Sequence, residues 1–272
     1  MKRIPNSRVL SLTIIIIVLA CSSNIISQES TNFSTIGKVV KFDNRVNDLI
    51  GPDARIELLA SGFEWSEGPV WVQDAGGYLL FSDIPRNSVM KWKEGQGISL
   101  FMKPSGYTGV TDYGREPGSN GLTLDLQGRI IFCEHGDRRI SRLEKDGGKK
   151  TLVDNYVAQS DSKTPIIKAF PLKSDGTLRS SKVLYNFANM MSKYPGSPDG
   201  LKIDQHGNLF ATGPGGVYII TPEGKLLGRI HTGKRTANCA WGNDGSVLYM
   251  TVDDCLCRIR TKTMGANWKN TP

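Results

Sequence analysis

From Phe63 onward, apolar and polar residues alternate in short runs separated by turn signals, and the runs come in groups of four. The first group is Glu67 to Trp71, Tyr78 to Asp83, Ser88 to Trp92 and Ile98 to Met102. The second is Asn120 to Asp125, Arg129 to Glu134, Arg139 to Leu143 and Lys150 to Val153. A later group is Asp199 to Asp204, Asn208 to Thr212, Val217 to Thr221 and Lys225 to Ile230, and the last is Asn238 to Trp241, Ser246 to Val252 and Leu256 to Arg260. Period-two alternation predicts half-buried strands. The intervening Asp125-Leu126-Gln127-Gly128, Lys145-Asp146-Gly147-Gly148 and Pro222-Glu223-Gly224-Lys225 carry hairpin-turn chemistry. Four-stranded units repeating about every 40–50 residues predict an all-β chain of the propeller type. Arg55 to Ala60 precedes the first unit and supplies the outer strand that the last one lacks, which would close the ring.

Each unit's inner strand opens with a polar residue followed by a chain-bending one. Glu67-Gly68-Pro69-Val70-Trp71 is echoed by Ser119-Asn120-Gly121-Leu122-Thr123-Leu124-Asp125 and Pro198-Asp199-Gly200-Leu201-Lys202-Ile203-Asp204, and more weakly by Asn238-Cys239-Ala240-Trp241-Gly242. If these strands are equivalent, Glu67, Asn120 and Asp199 converge on one axis, and convergent oxygen donors suit a hard cation such as calcium.

The unit between the second and the later group is defective. Tyr156 to Asp161, Ile166 to Leu172 and Lys182 to Phe187 read as second, third and fourth strands, but no inner strand precedes Tyr156. The interval from Ile131 to Val157 is about half of that from Leu80 to Ile131 or from Val157 to Phe210. The chain has therefore lost an inner strand near Asn155.

The N-terminus decides the compartment. Lys2, Arg3 and Arg8 precede an apolar run from Val9 to Leu19 that is shorter than the roughly 20 residues a membrane span needs, which is the pattern of a secretory signal. Val18-Leu19-Ala20-Cys21 resembles a bacterial lipobox and implies cleavage before Cys21, lipidation of that cysteine and a periplasmic or cell-surface lipoprotein. The expected organisation is a signal over residues 1–20, a polar tether over 21–35 and a propeller domain over 36–272. Removing the signal's three cations lowers the net charge from +8 to +5. No basic cluster interleaves with aromatics, so nucleic acid is not an expected partner. Thirteen prolines and thirty glycines fit many short strands and turns. Cys133, Cys239, Cys255 and Cys257 match no zinc spacing; they are either disulfide partners or small buried residues.

The motifs Ser66-Glu67-Gly68-Pro69-Val70-Trp71, Gly118-Ser119-Asn120-Gly121-Leu122-Thr123-Leu124-Asp125, Cys133-Glu134-His135-Gly136-Asp137-Arg138-Arg139 and Ser197-Pro198-Asp199-Gly200, in that order, resemble the gluconolactonase family, which includes regucalcin (senescence marker protein). The resemblance runs from about Ile56 to Gly265. It implies a six-bladed propeller with a divalent metal in its channel, usually calcium with zinc, magnesium or manganese as substitutes, and hydrolysis of sugar lactones by a monomer. Carried over, Glu67 and Asp199 are acidic metal ligands, Asn120 lies at the channel mouth, and Arg115 and His135 lie near the substrate. Asp199 would also activate the attacking water. His135 would serve either as a general base or as a structural hydrogen-bonding group. No Gly-x-Ser-x-Gly elbow points to a serine hydrolase. This chain departs from the family in its middle, where about one and a half blades, on the order of 60 residues, are missing. The expected function is metal-dependent lactone hydrolysis, with a catalytically silent propeller as the alternative.

Overall fold

A computed structural model describes residues 33–154, 165–266 and Trp268. The signal, Cys21 and the expected strand from Tyr156 to Asp161 lie outside the described residues. Within them the alternating runs fold as antiparallel strands, and Asp side chains set the turns. Asp125 Oδ1 accepts the backbone N–H of Gln127 and of Arg129, both at 2.9 Å, and Asp204 Oδ1 accepts those of His206 and Asn208 at 2.9 and 2.8 Å. A carboxylate that satisfies two backbone donors fixes the loop that returns the chain to its partner strand.

The first blade is β4–β7 (Ser66–Val72, Tyr78–Asp83, Ser88–Lys93, Gly97–Met102), and the second is β8–β11 (Ser119–Leu124, Ile130–Glu134, Arg139–Leu143, Lys149–Asp154). The defective unit contributes a two-stranded sheet, β12 and β13 (Ile166–Ala169, Lys182–Asn186). The next blade is β14–β17 (Leu201–Ile203, Leu209–Gly213, Gly216–Ile220, Leu226–His231), and β2 (Lys38–Lys41) extends its outer edge beside β17. The last is β18–β20 (Thr236–Gly242, Val247–Val252, Cys255–Arg260). It is completed by β3 (Ile56–Ser61) alongside β20, with β1 (Thr35–Ile36) beyond. The expected outer strand from residues 55–60 is therefore in place.

Four hydrophobic seams order the sheets. Val72, Leu80, Val89, Ile130 and Phe132 join the second blade to the first. Trp71, Leu79, Phe81, Trp92, Tyr249 and Leu256 join the first to the last. Phe210, Val217, Ile219, Cys239, Trp241, Leu248 and Met250 join the last to the β14–β17 blade. Phe187, Tyr218 and Ile220, with Ile167 and Tyr185, seat the β12–β13 pair on that blade's far side. Among the described residues no such seam joins β12–β13 back to β8–β11. The sheets form an arc, the shortened propeller that the lost inner strand predicts, and apolar side chains stand exposed toward its ends: Leu152 and Val153 at one, Phe170, Leu172, Leu178 and Val183 at the other.

All four described cysteines outside the signal are free thiols, with Cys239, Cys255 and Cys257 buried. Of the two readings open from the sequence, the buried-residue one holds for these three, while Cys133 is half-buried. Cys239 lies in the Phe210–Trp241 seam, and burial pushes its thiol up to about 11, which leaves it an inert apolar filler.

Candidate functional site

Three of the four inner-strand starts carry a β-bulge, and the Asp199-Gly200 start before β14 has none. The β4–β5 register shifts between Glu67 and Val70, the β8–β9 register between Ser119 and Leu122, and the β18–β19 register between Thr236 and Asn238. Pro69 sits inside the first bulge, where no ladder N–H is required. A bulge re-aims the side chain at its corner, and here the corner residue of β4 is Glu67. Gly68 adopts φ +52°, and a Cβ on it would collide with the Asn120 carbonyl oxygen and the backbone of Gly121. The close approach of β4 to β8 thus depends on glycine. On the other side the Gly200 N–H donates to the Ala237 carbonyl at 3.1 Å, and a Cβ on Gly200 would strike the Asn238 side chain. Ser66 Oγ donates to the Asp253 and Cys255 carbonyls, both at 2.9 Å, and Thr212 Oγ1 is within 3.0 and 3.1 Å of the Gly200 and Ala237 carbonyls. Hydroxyls and tight glycines bind the inner strand ends to one another.

These ends open on a cavity of about 1090 Å³ whose walls include Trp65, Glu67, Arg115, Glu116, Asp199 and Arg235. Glu67 is 2% exposed. Burial, and then the charge of Asp199, pushes its carboxyl up to about 7, partly offset by the Gly68 N–H, which donates to Oε2 at 2.9 Å, and by the Asn238 side chain. Partial burial also raises the Asp199 carboxyl. Two carboxylates from different blades, held together with no cationic side chain paired to either among the described salt bridges, form a receptor for positive charge.

Each residue singled out in the sequence now has a place. Glu67 and Asp199 are brought together, and Arg115 lines the same cavity. Asn120 sits at the β8 bulge beside Gly68. Its carbonyl accepts the Ser82 hydroxyl at 3.0 Å, and it is not among the residues lining the cavity. His135 is likewise outside the lining. Its Nδ1 lies 3.2 Å from Glu116 Oε2 and 3.0 Å from the Glu116 carbonyl, and the Tyr113 hydroxyl donates to the His135 carbonyl at 3.0 Å. It meets the cavity only through Glu116. Sequence reasoning missed Glu116, next to Arg115, and Asn238, although Asn238 opens the fourth copy of the inner-strand motif. The Asn238 Oδ1 accepts the Cys239 N–H at 2.9 Å, which leaves the amide NH₂ for Glu67.

The arc of four-stranded sheets, with Glu67 and Asp199 at two inner-strand starts facing one cavity, defines a shortened propeller with a polar site at its centre. The SMP-30/gluconolactonase/LRE-like family model matches residues 155–253. A gluconolactonase of Zymomonas mobilis is 31% identical over 322 residues, covering 88% of this chain and 90% of the relative. That alignment is longer than the chain's own 272 residues. Among solved structures, a Xanthomonas campestris gluconolactonase superposes with a TM-score of 0.62 at 21% identity, over 84% of this chain and 99% of the other. The calcium-binding protein regucalcin of Agrobacterium tumefaciens gives 0.50 at 15% identity, over 78% and 96%. The chain belongs to the SMP-30/gluconolactonase/LRE-like family.

Proposed function

We propose that this protein hydrolyses a sugar lactone to its hydroxy acid with the help of a divalent cation, calcium in the first instance. The observation that carries the reading is the convergence of Glu67 and Asp199, from separate blades, on one cavity. The donor chemistry fits: burial raises the proton affinity of both carboxyls, the Asp199 charge adds to it at Glu67, and a hard cation would relieve both. Glu67 and Asp199 would hold it; Asn120, expected as a third donor, stands at the neighbouring bulge outside the cavity lining. When bound, such an ion polarises the lactone carbonyl and stabilises the oxyanion.

The chain's own groups do the rest. Asp199, the more accessible of the two carboxylates, takes the proton of the attacking water, and its raised proton affinity makes it a better base than an ordinary aspartate. As water adds to the carbonyl carbon, the ring C–O bond breaks and the proton passes to the leaving alkoxide, giving the open hydroxy acid. Arg115 and Glu116 supply donor and acceptor groups for sugar hydroxyls, and His135 orients Glu116 from outside the cavity. The alternative, a silent propeller, draws on the open arc and on a donor set of only two carboxylates.

Proton release from glucono-δ-lactone, measured with calcium and again with chelator, separates the two. The lactonase reading expects calcium-dependent turnover that falls at least 100-fold in Asp199→Asn, within the loss typical of a missing general base. A folded protein without calcium-dependent turnover would support the silent reading, and unchanged turnover in Asp199→Asn would remove Asp199 from the mechanism.

A further inference from the structure

The cavity is larger than a single lactone ring requires: about 1090 Å³, against roughly 300–1,000 Å³ for sites that enclose drug-sized ligands. Its wall carries one large side chain that the chemistry above does not use. Trp65 stands two residues before Glu67 and lines the same cavity, with 39% of its surface exposed. The chain's other aromatics near this seam are paired: Phe63 meets Phe81 edge-on at 4.9 Å, and Trp71 stacks on Tyr249 at 5.5 Å. Trp65 makes no aromatic pair among the described residues.

The exposure is not looseness of the backbone. The Trp65 N–H and its neighbour's at Glu64 both donate to Asp83 Oδ1 at 3.1 Å, and the Trp65 carbonyl accepts the Ile84 N–H at 3.1 Å. Asp83 is itself fully buried and lies 3.4 Å from Arg86 Nη1. A buried carboxylate therefore anchors the loop that presents the indole to the cavity, and Pro85 adds an apolar neighbour on the wall. A flat apolar face offered to a polar cavity suits the C–H face of a pyranose ring, which packs on an indole while its hydroxyls remain free to bond at the edge. Trp65 lies in the bend that leads into β4, at most about 7 Å from Glu67 at the backbone, which sets the indole beside the carboxylates on the same wall.

We infer that Trp65 is the platform for a second sugar ring and that the preferred substrate is a disaccharide lactone, an aldobionolactone whose lactone ring sits at Glu67 and Asp199 while the adjoining pyranose stacks on Trp65. This rests on the lactonase reading. Only the ring ester is opened, and the glycosidic bond is untouched.

The test compares kcat/KM for cellobiono-δ-lactone and glucono-δ-lactone, alongside calorimetric binding of the unreactive products cellobionate and gluconate. The proteins are the wild type, Trp65→Ala and Trp65→Phe. The wild type is expected to favour the disaccharide in both measurements. Trp65→Ala is expected to lower the disaccharide-to-monosaccharide ratio roughly tenfold, and Trp65→Phe to retain most of it. Equal handling of the two sugars by the wild type, or a ratio unmoved in Trp65→Ala, overturns the platform, and lactone turnover without preference leaves the lactonase reading standing alone. Tighter, Trp65-dependent binding of cellobionate by a protein that opens neither lactone upholds the platform and removes the lactonase reading.

Discussion

At the scale of single residues, the site is a carboxyl held back from ionising, first by burial and then by the Asp199 charge. The Glu67 carboxyl sits near 7 in the fold against an ordinary 4.5, so the folded state binds that proton more tightly than the unfolded chain does. The resulting stabilisation is fully present below about pH 4.5 and is lost as pH rises through 7. Glu67→Gln keeps the shape and removes the titration. In chelator, the unfolding free energy of the wild type minus that of Glu67→Gln should fall by about 3 kcal/mol between pH 4.5 and pH 8, as read by urea denaturation at the two pH values. A difference that rises with pH would mean that the fold does not raise the Glu67 carboxyl. Asn238 makes a second case. Its oxygen accepts the Cys239 N–H and its side chain hydrogen-bonds Glu67, which makes it a group that orients Glu67. Asn238→Ala should weaken calcium binding about 10–100-fold, the usual effect of removing a group that orients a ligand, and an unchanged calorimetric affinity would deny it that role. Glu67 and Asp199 were legible because each stands beside a glycine in a repeated motif. Asn238 was legible as a strand start but not as part of the site, because its partner lies on a strand far away in sequence. The pairing of His135 with Glu116 was illegible because it depends on the path of a loop that no periodicity describes.

At the scale of elements, alternation and turn chemistry carried almost all of the strand pattern, since each blade is a local meander whose hydrogen bonds join neighbours in sequence. β1 and β2 escaped the reading because they are two and four residues long and pair with β3 and β17; in the case of β17 the partner lies nearly the whole chain away, so nothing local marks it. The bulges at the starts of β4 and β8 explain why a Gly follows Glu67 and Asn120. Gly68→Ala tests this: the new Cβ meets the Asn120 backbone in a left-handed conformation. It should cost at least about 1–3 kcal/mol from strain alone and should weaken calcium binding by displacing Glu67. Gly128→Ala has a comparable φ of +74° but open space around it, and it should show the strain without the collision. Equal losses of stability and unchanged calcium binding in the two variants would mean that the β4–β8 approach does not shape the site.

At the scale of the whole molecule, what holds an arc together is the set of seams between successive sheets, and the one most at risk is the last. The β12–β13 pair has only a single described neighbour, and Phe187 is its anchor: fully buried, edge-on to Tyr218 at 4.9 Å and to Tyr185 at 4.8 Å. Arg229 reinforces the platform beneath, with its guanidinium 4.0 Å over the Tyr194 ring and Nη1 donating to the Tyr218 hydroxyl at 3.2 Å. An intact ring would cover this pair from both sides, and in the arc the cover comes from one side. Phe187→Ala should therefore cost about 3–5 kcal/mol of local packing and free the pair from its blade. Limited proteolysis should then cut at the turn around Lys173 to Gly176 well before the rest of the chain, because cleavage follows the population of the locally opened state. Glu67 stands on β4 in a different blade, and Asp199 precedes β14, one strand removed from the Gly213 beside which the Phe187 ring packs, so calcium binding should outlast the loss of the pair. Cutting at the wild-type rate would show that the pair is secured by something other than this seam. Simultaneous loss of calcium binding would show that the arc folds as one cooperative body in which the defective unit still supports the site.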